Sequence, residues 1–194
     1  WAPEVRRSGR GPSDGARGVV RLWRDRTAWL VTGVFGLQSL LFFSLLSWTP
    51  DILRDAGLSS SEAGAWLSVS MLCGIVPSLV LPSIAERMRD QRLLAVAVTV
   101  PWTLGLVGLM ADPAGPTWLW MVLTGIGQGL GIALVLTLVV LRARDAEHAA
   151  ALSSMAQGVG YTIAALGPLL LGVVRDVSGN WDAPIALLLV VCAG

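Results

Sequence analysis

Long uncharged blocks dominate the chain. Residues 28–49, 63–85, 93–111, 115–141 and 149–174 contain no Asp, Glu, Arg or Lys. Each is close to or above the length of about 20 apolar residues that a helix needs to cross a bilayer. Residues 183–194 begin a sixth block that stops short of a full crossing. The blocks do not alternate apolar and polar positions, which excludes the short strands of a membrane barrel. In hydrocarbon every backbone polar group must be bonded within its own segment, so the pattern predicts membrane-spanning helices.

The punctuation between blocks agrees. Pro50 is expected to end the first, and Ser59-Ser60-Ser61-Glu62 has the form of a capping box that would start the second. Asp112-Pro113-Ala114-Gly115-Pro116 reads as a tight turn, and Ser178-Gly179-Asn180 as another. Arginine placement sets an orientation. With the leading segment in the cytoplasm, that side holds Arg6, Arg7, Arg10, Arg17, Arg21, Arg24 and Arg26, then Arg87, Arg89 and Arg92, then Arg142 and Arg144. The other side holds only Arg54 and Arg175. Trp29, Trp48, Trp118, Trp120 and Trp181 lie near block ends, where indoles favour the interface, while Trp66 and Trp102 sit deeper, for packing or lipid contact.

Composition sharpens this picture. Hydrophobic residues make up 54% and charged residues 14%, and the net charge is +1, so no nucleic-acid partner is expected. Residues 1–26 differ from the rest: 1–17 read as a flexible polar linker, and Val19-Val20-Arg21-Leu22-Trp23-Arg24 as a short amphipathic segment on the membrane surface. The chain starts at Trp1 and stops inside an apolar run, which reads as an internal or truncated piece of a longer protein; no cleavable signal is visible. Cys73 and Cys192 both fall in apolar blocks and read as small buried hydrophobes.

All acidic residues and arginines fall in the linker, the loops or the block ends. A proton relay or a substrate counter-ion usually leaves an ionisable residue within the membrane. A coupling proton would therefore have to be handled outside this segment. No nucleophile elbow, phosphate loop, metal cluster or catalytic dyad is present, so no enzyme, cofactor or metal is expected. His148 reads as a solvated loop residue.

Small residues fall at helical spacing: Gly125, Gly129 and Ala133 in the fourth block, and Ala156, Gly160, Ala164 and Gly167 in the fifth. Such stripes let helix backbones approach closely, and the same seam could slide in a moving protein. Gly167-Pro168 predicts a bend. Polar side chains share faces: Gln38, Phe42 and Thr49 with Ser39 and Phe43 beside them; Thr124, Gln128 and Gly131; Ser154, Gln157, Tyr161 and Pro168. An amide in hydrocarbon needs a hydrogen-bond partner or water. Two readings stay open: glue between helices, or the wall of a wet cavity that binds a small polar molecule. The candidate cavity residues are Gln38, Ser39, Phe42, Phe43, Thr124, Gln128, Gln157 and Tyr161, with Gln38 and Gln128 favoured.

Leu22-Trp23-Arg24-Asp25-Arg26-Thr27-Ala28-Trp29, Gly36-Leu37-Gln38-Ser39-Leu40-Leu41-Phe42-Phe43, Leu46-Ser47-Trp48-Thr49-Pro50 and Ala56-Gly57-Leu58-Ser59 together resemble the seventh helix and following loop of major facilitator transporters. More narrowly the chain resembles the CynX/NimT branch, named for cyanate and nitroimidazole transport. The resemblance implies an all-α membrane fold, with the six blocks as helices seven to twelve, the last one cut short, and residues 1–26 as the central cytoplasmic linker. It implies a twelve-helix protein of two halves with the substrate between them. The first and fourth helices would then face the cavity, the second and fifth the other half, and the third and sixth the periphery.

Pro82-Ser83-Ile84-Ala85-Glu86-Arg87-Met88-Arg89-Asp90-Gln91-Arg92 stands where that superfamily carries its loop motif. Pro82 and Arg89 replace its glycines and Glu86-Arg87 its Asp-Arg pair, so Glu86, Arg87, Arg89, Asp90 and Arg92 form a degenerate copy, either a latch or a solvated charge run. The implied function is alternating-access transport of a small molecule, such as a small organic anion or a nitro-aromatic, at a multi-pass cell-membrane location. The implied partners are an N-terminal six-helix half, lipid and the substrate. A non-transporting membrane scaffold or accessory subunit explains the spans equally well, without needing amides and aromatics on the inward faces.

Overall fold

A computed structural model describes residues 22–85, 87 and 92–193. These form six helices: α1 (Arg26–Asp55), α2 (Ser60–Ala85), α3 (Arg92–Ala111), α4 (Thr117–Arg142), α5 (Ala146–Ser178) and α6 (Asp182–Ala193). The first five are long and apolar enough to cross a membrane; α6 is a shorter apolar helix of 12 residues. All five long blocks predicted from the sequence are therefore helices; α1, α2, α3 and α5 extend beyond their uncharged cores, while α4 starts inside its block, at Thr117.

Caps account for several of the boundaries. The Asp25 carboxylate accepts the Thr27 amide at 2.8 Å and opens α1. At α2 the predicted capping box is present in both directions. Glu62 Oε2 accepts the Ser59 amide at 2.9 Å, and the Glu62 amide donates to Ser59 Oγ at 3.3 Å. Asp145 caps α5 by accepting the His148 amide at 2.8 Å, and Gly179, at φ 71°, closes it in the left-handed conformation that favours glycine.

Pro50 does not end α1, which continues to Asp55 and stops at Gly57, where φ is 101°. The proline removes one backbone donor, and the helix absorbs the loss as membrane helices commonly do. Pro77 and Pro82 in α2, Pro101 in α3 and Pro168 in α5 are accommodated in the same way.

Two parallel pairs organise the bundle. In the α2–α4 pair the backbones nearly touch. A Cβ added to Gly125 would lie 2.1 Å from the Ser70 carbonyl oxygen, and one on Gly129 would lie 2.0 Å from that of Gly74. In the α1–α5 pair, Gly36 meets Gly160, and Gly167 leaves room for Leu40 and Ser44. Nearer the ends of α1 and α5, the Trp48 indole donates to the Pro168 carbonyl at 2.9 Å beside Gly172. Arg175 pairs with Asp55 at 3.0 Å, and the Trp181 indole donates to the same carboxylate at 2.8 Å.

Helix α3 runs antiparallel to α4. Gly127 makes the slot for Trp102, which is buried in the main apolar cluster and settles its alternatives in favour of packing. Leu22 is also buried, against Val139, Leu152 and Met155. The end of the expected linker thus packs on the bundle; residues 1–21 lie outside the described residues.

Charged side chains among the described residues keep to helix ends and turns, as the sequence predicts. The close α2–α4 crossing leads to a stability prediction. Gly125→Ala forces a methyl group into the backbone of Ser70 and should lower stability by about 1–3 kcal/mol, the usual cost of overpacking. Gly158→Ala has open space around it and should be neutral or slightly stabilising. Equilibrium unfolding of the full-length protein in detergent checks both; equal stabilities for the two variants would contradict the crossing.

Candidate functional site

An open cavity of about 320 Å³ lies between the two parallel pairs. From α1 it takes Gln38, Ser39, Phe42 and Phe43, and from α5 it takes Tyr161. The facing wall is Met71, Gly74, Ile75 and Ser78 of α2 with Gln128, Gly129 and Ile132 of α4. Its volume falls at the small end of the range for small-molecule sites, about 300–1,000 Å³.

The site lies deep in the helices. Gln38 is roughly 18 Å along α1 from its start, at the usual rise per residue. Gln38 crosses over Gly131, whose absent side chain makes room for it, and its Oε1 accepts the Ser39 hydroxyl at 3.5 Å. Gln128 is 6% exposed. Its amide makes no hydrogen bond among the described residues, and it lines the cavity, so its donors and acceptor are open to a ligand or to water. The Ser78 hydroxyl instead donates to the Ile75 carbonyl at 2.7 Å.

One wall is aromatic. Tyr161 stands edge-on to Phe35 at 5.2 Å between ring centroids and to Phe43 at 6.1 Å, and Phe42 meets Phe43 at 5.3 Å. Such perpendicular contacts favour a fixed arrangement of rings. No charged side chain lines the cavity.

Six of the eight residues expected at a cavity therefore come together: Gln38, Ser39, Phe42, Phe43, Gln128 and Tyr161. Thr124 and Gln157 do not line it. Thr124 is 2% exposed, at the α2–α4 crossing. Its hydroxyl lies 3.4 Å from Ser70 Oγ and donates to the Trp120 carbonyl at 2.9 Å. Gln157 is exposed, and its amide donates to Ser153 Oγ at 2.8 Å.

Of the packing residues, Gly125, Gly160 and Gly167 sit at helix contacts, and Gly129 both seals the crossing and borders the cavity. Pro168 lies within α5, with its carbonyl bonded to Trp48. In the loop motif Arg87 is exposed and Arg92 begins α3; Glu86, Arg89 and Asp90 lie outside the described residues. The α2 lining was not anticipated. Ser70 and Ser78 mark that face in the sequence, but serine is too common in such helices to single it out.

The bundle and its central cavity define half of a membrane transporter fold. The Major Facilitator Superfamily model matches residues 1–168. The chain belongs to the Major Facilitator Superfamily and is a multi-pass membrane protein with the fold of a six-helix half. Within the superfamily its place is the CynX/NimT branch.

An uncharacterised transporter, YycB, of Bacillus subtilis is 37% identical over 97% of this chain and 47% of its own length. A 2-nitroimidazole transporter of Escherichia coli is 38% identical over 84% of this chain and 42% of its own. The cyanate transport protein CynX of the same species is 31% identical over 84% and 42% respectively. The chain spans about half the length of these curated relatives.

Water in the cavity can be tested by labelling. In a full-length protein with Cys73 and Cys192 replaced by Ser, Gln128→Cys should react with a small polar thiol reagent. Thr124→Cys, sealed between α2 and α4, should not. Two unreactive thiols would mean a dry cavity.

Proposed function

We propose that the chain is the C-terminal half of a secondary active transporter that moves a small molecule by alternating access. Residues 1–26 are the central cytoplasmic linker in this reading, and 27–194 the membrane half. The observation that carries it is the cavity between the α1–α5 and α2–α4 pairs, where the Gln128 amide stands unpaired beside Gln38 and an aromatic wall, deep in an apolar bundle. Helix packing alone does not require that arrangement, because an unpaired buried amide costs stability. A binding site does.

In the two-half architecture the cavity opens towards the N-terminal half, and substrate is held between the halves. The lining has no ionisable carboxylate, imidazole or cation. A coupling proton is accordingly carried by the other half. The similarity to a 2-nitroimidazole transporter supports a nitro-aromatic substrate, and the similarity to a cyanate transporter supports a small anion. The arginine-rich end of the bundle, with Arg26, Arg142 and Arg144, is assigned to the cytoplasm.

Gln38→Ala in the full-length transporter should leave the amount in the membrane unchanged and reduce uptake of labelled 2-nitroimidazole about tenfold, as expected on losing one well-placed hydrogen bond and the order it imposes. Wild-type uptake kinetics in that variant, with normal insertion, would remove Gln38 from the site. No uptake of any nitro-aromatic or small anion by the wild-type protein would favour a scaffold role instead.

A further inference from the structure

The cavity lining bears on the charge of the ligand, a question that the transport reading leaves open and on which this inference builds. We infer that the cavity between α1, α2, α4 and α5 binds the uncharged, planar form of its ligand, with Gln128 as the residue that sets this specificity. An anion entering this space would lose its water and meet no Arg, Lys or His on the lining. Burying an unpaired charge is far more costly than burying a neutral polar group. The described arginines stand at helix ends and turns, and Gln38 and Gln128 lie far from them along their helices.

What the lining offers suits a neutral ring with polar edges. Gln128 is more than nine-tenths buried, borders the cavity and has no hydrogen-bond partner among the described residues. Its amide can donate to a nitro or carbonyl oxygen and accept from a ring N–H at the same time. Tyr161, Phe42 and Phe43 supply a hydrophobic aromatic wall against which a flat ring can pack. Gly74 and Gly129 stand on the opposite wall with Met71, Ile75 and Ile132, which offer apolar contact to the other face of a ring. A site for a compact anion is built differently, from cations or converging backbone donors.

Para-nitrobenzamide and para-nitrobenzoate form a suitable probe pair, because they share a ring and a shape and differ in charge at neutral pH. Binding of each to the purified full-length transporter is measured by equilibrium dialysis, independently of uptake. The amide should bind at least about tenfold more tightly than the carboxylate, given the cost of an unpaired buried charge. Gln128→Met, similar in size, should weaken amide binding about tenfold through loss of its hydrogen bonds while leaving carboxylate binding unchanged.

Equal or tighter binding of the carboxylate overturns the inference and places a cation from the other half at the cavity. Failure of the amide to bind also overturns it, as does unchanged amide binding in Gln128→Met. Selective amide binding without uptake of any nitro-aromatic would uphold this inference and sink the transport reading alone.

Discussion

The close approach of backbones at glycine is the constraint on which this bundle depends. In lipid there is little hydrophobic gain from bringing two apolar helices together, so packing contacts must supply the adhesion. Gly125 and Gly129 let α4 rest on the carbonyls of Ser70 and Gly74 in α2. Gly36, Gly160 and Gly167 do the same for α1 and α5. Where two pairs are each this close, the space between them is left to larger side chains. Those side chains do not fill it, and the remaining space is the cavity. Gly129 makes the link directly, since it lies at the crossing and on the cavity wall.

The end of the α1–α5 pair near Asp55 is held by polar contacts of a different kind. Trp48 donates its indole N–H to the carbonyl of Pro168, and a carbonyl has a second lone pair to accept it. Trp48 also packs on Trp181 at 5.6 Å, and Arg175 lies 5.1 Å over the Trp181 ring while pairing with Asp55. The partly exposed ion pair contributes little alone, but the aromatic rings reduce its access to water. The result is a pair joined by glycine contacts along its length and by polar contacts at one end.

Much of this was legible in the sequence because membranes impose strong rules. Uncharged blocks had to be helices, and Ser59 with Glu62 had to cap one. The glycine stripes in α4 and α5 are at the crossings. The candidate cavity was legible for Gln38, Gln128 and Tyr161, because an amide or phenol on an apolar helix is a conspicuous cost. It was misleading for Thr124, one turn before Gln128 on the same face of α4, because threonine can satisfy its hydroxyl with its own helix and needs no cavity. It was silent for Met71, Gly74 and Ile75, which are ordinary membrane residues whose role depends on which helix lies opposite. Pro50 misled for a related reason, since proline stops helices in water more reliably than in lipid.

In the proposed transporter, an uncharged cavity wall suits one of the two tasks that such a protein has to perform. Holding a neutral ring needs shape, aromatic surface and a few unpaired hydrogen-bonding groups, all of which can be buried at modest cost. Coupling transport to an ion gradient needs a group that changes charge, and burying such a group requires a partner to offset it. A half that carries only the first set can pack its helices through glycine, without spending its interior on ion pairs. Packing of this kind gives a physical reason why this segment can keep a small, open and uncharged cavity. In the proposed transporter, recognition in this half would turn on Gln38 and Gln128, the two amides on that uncharged wall.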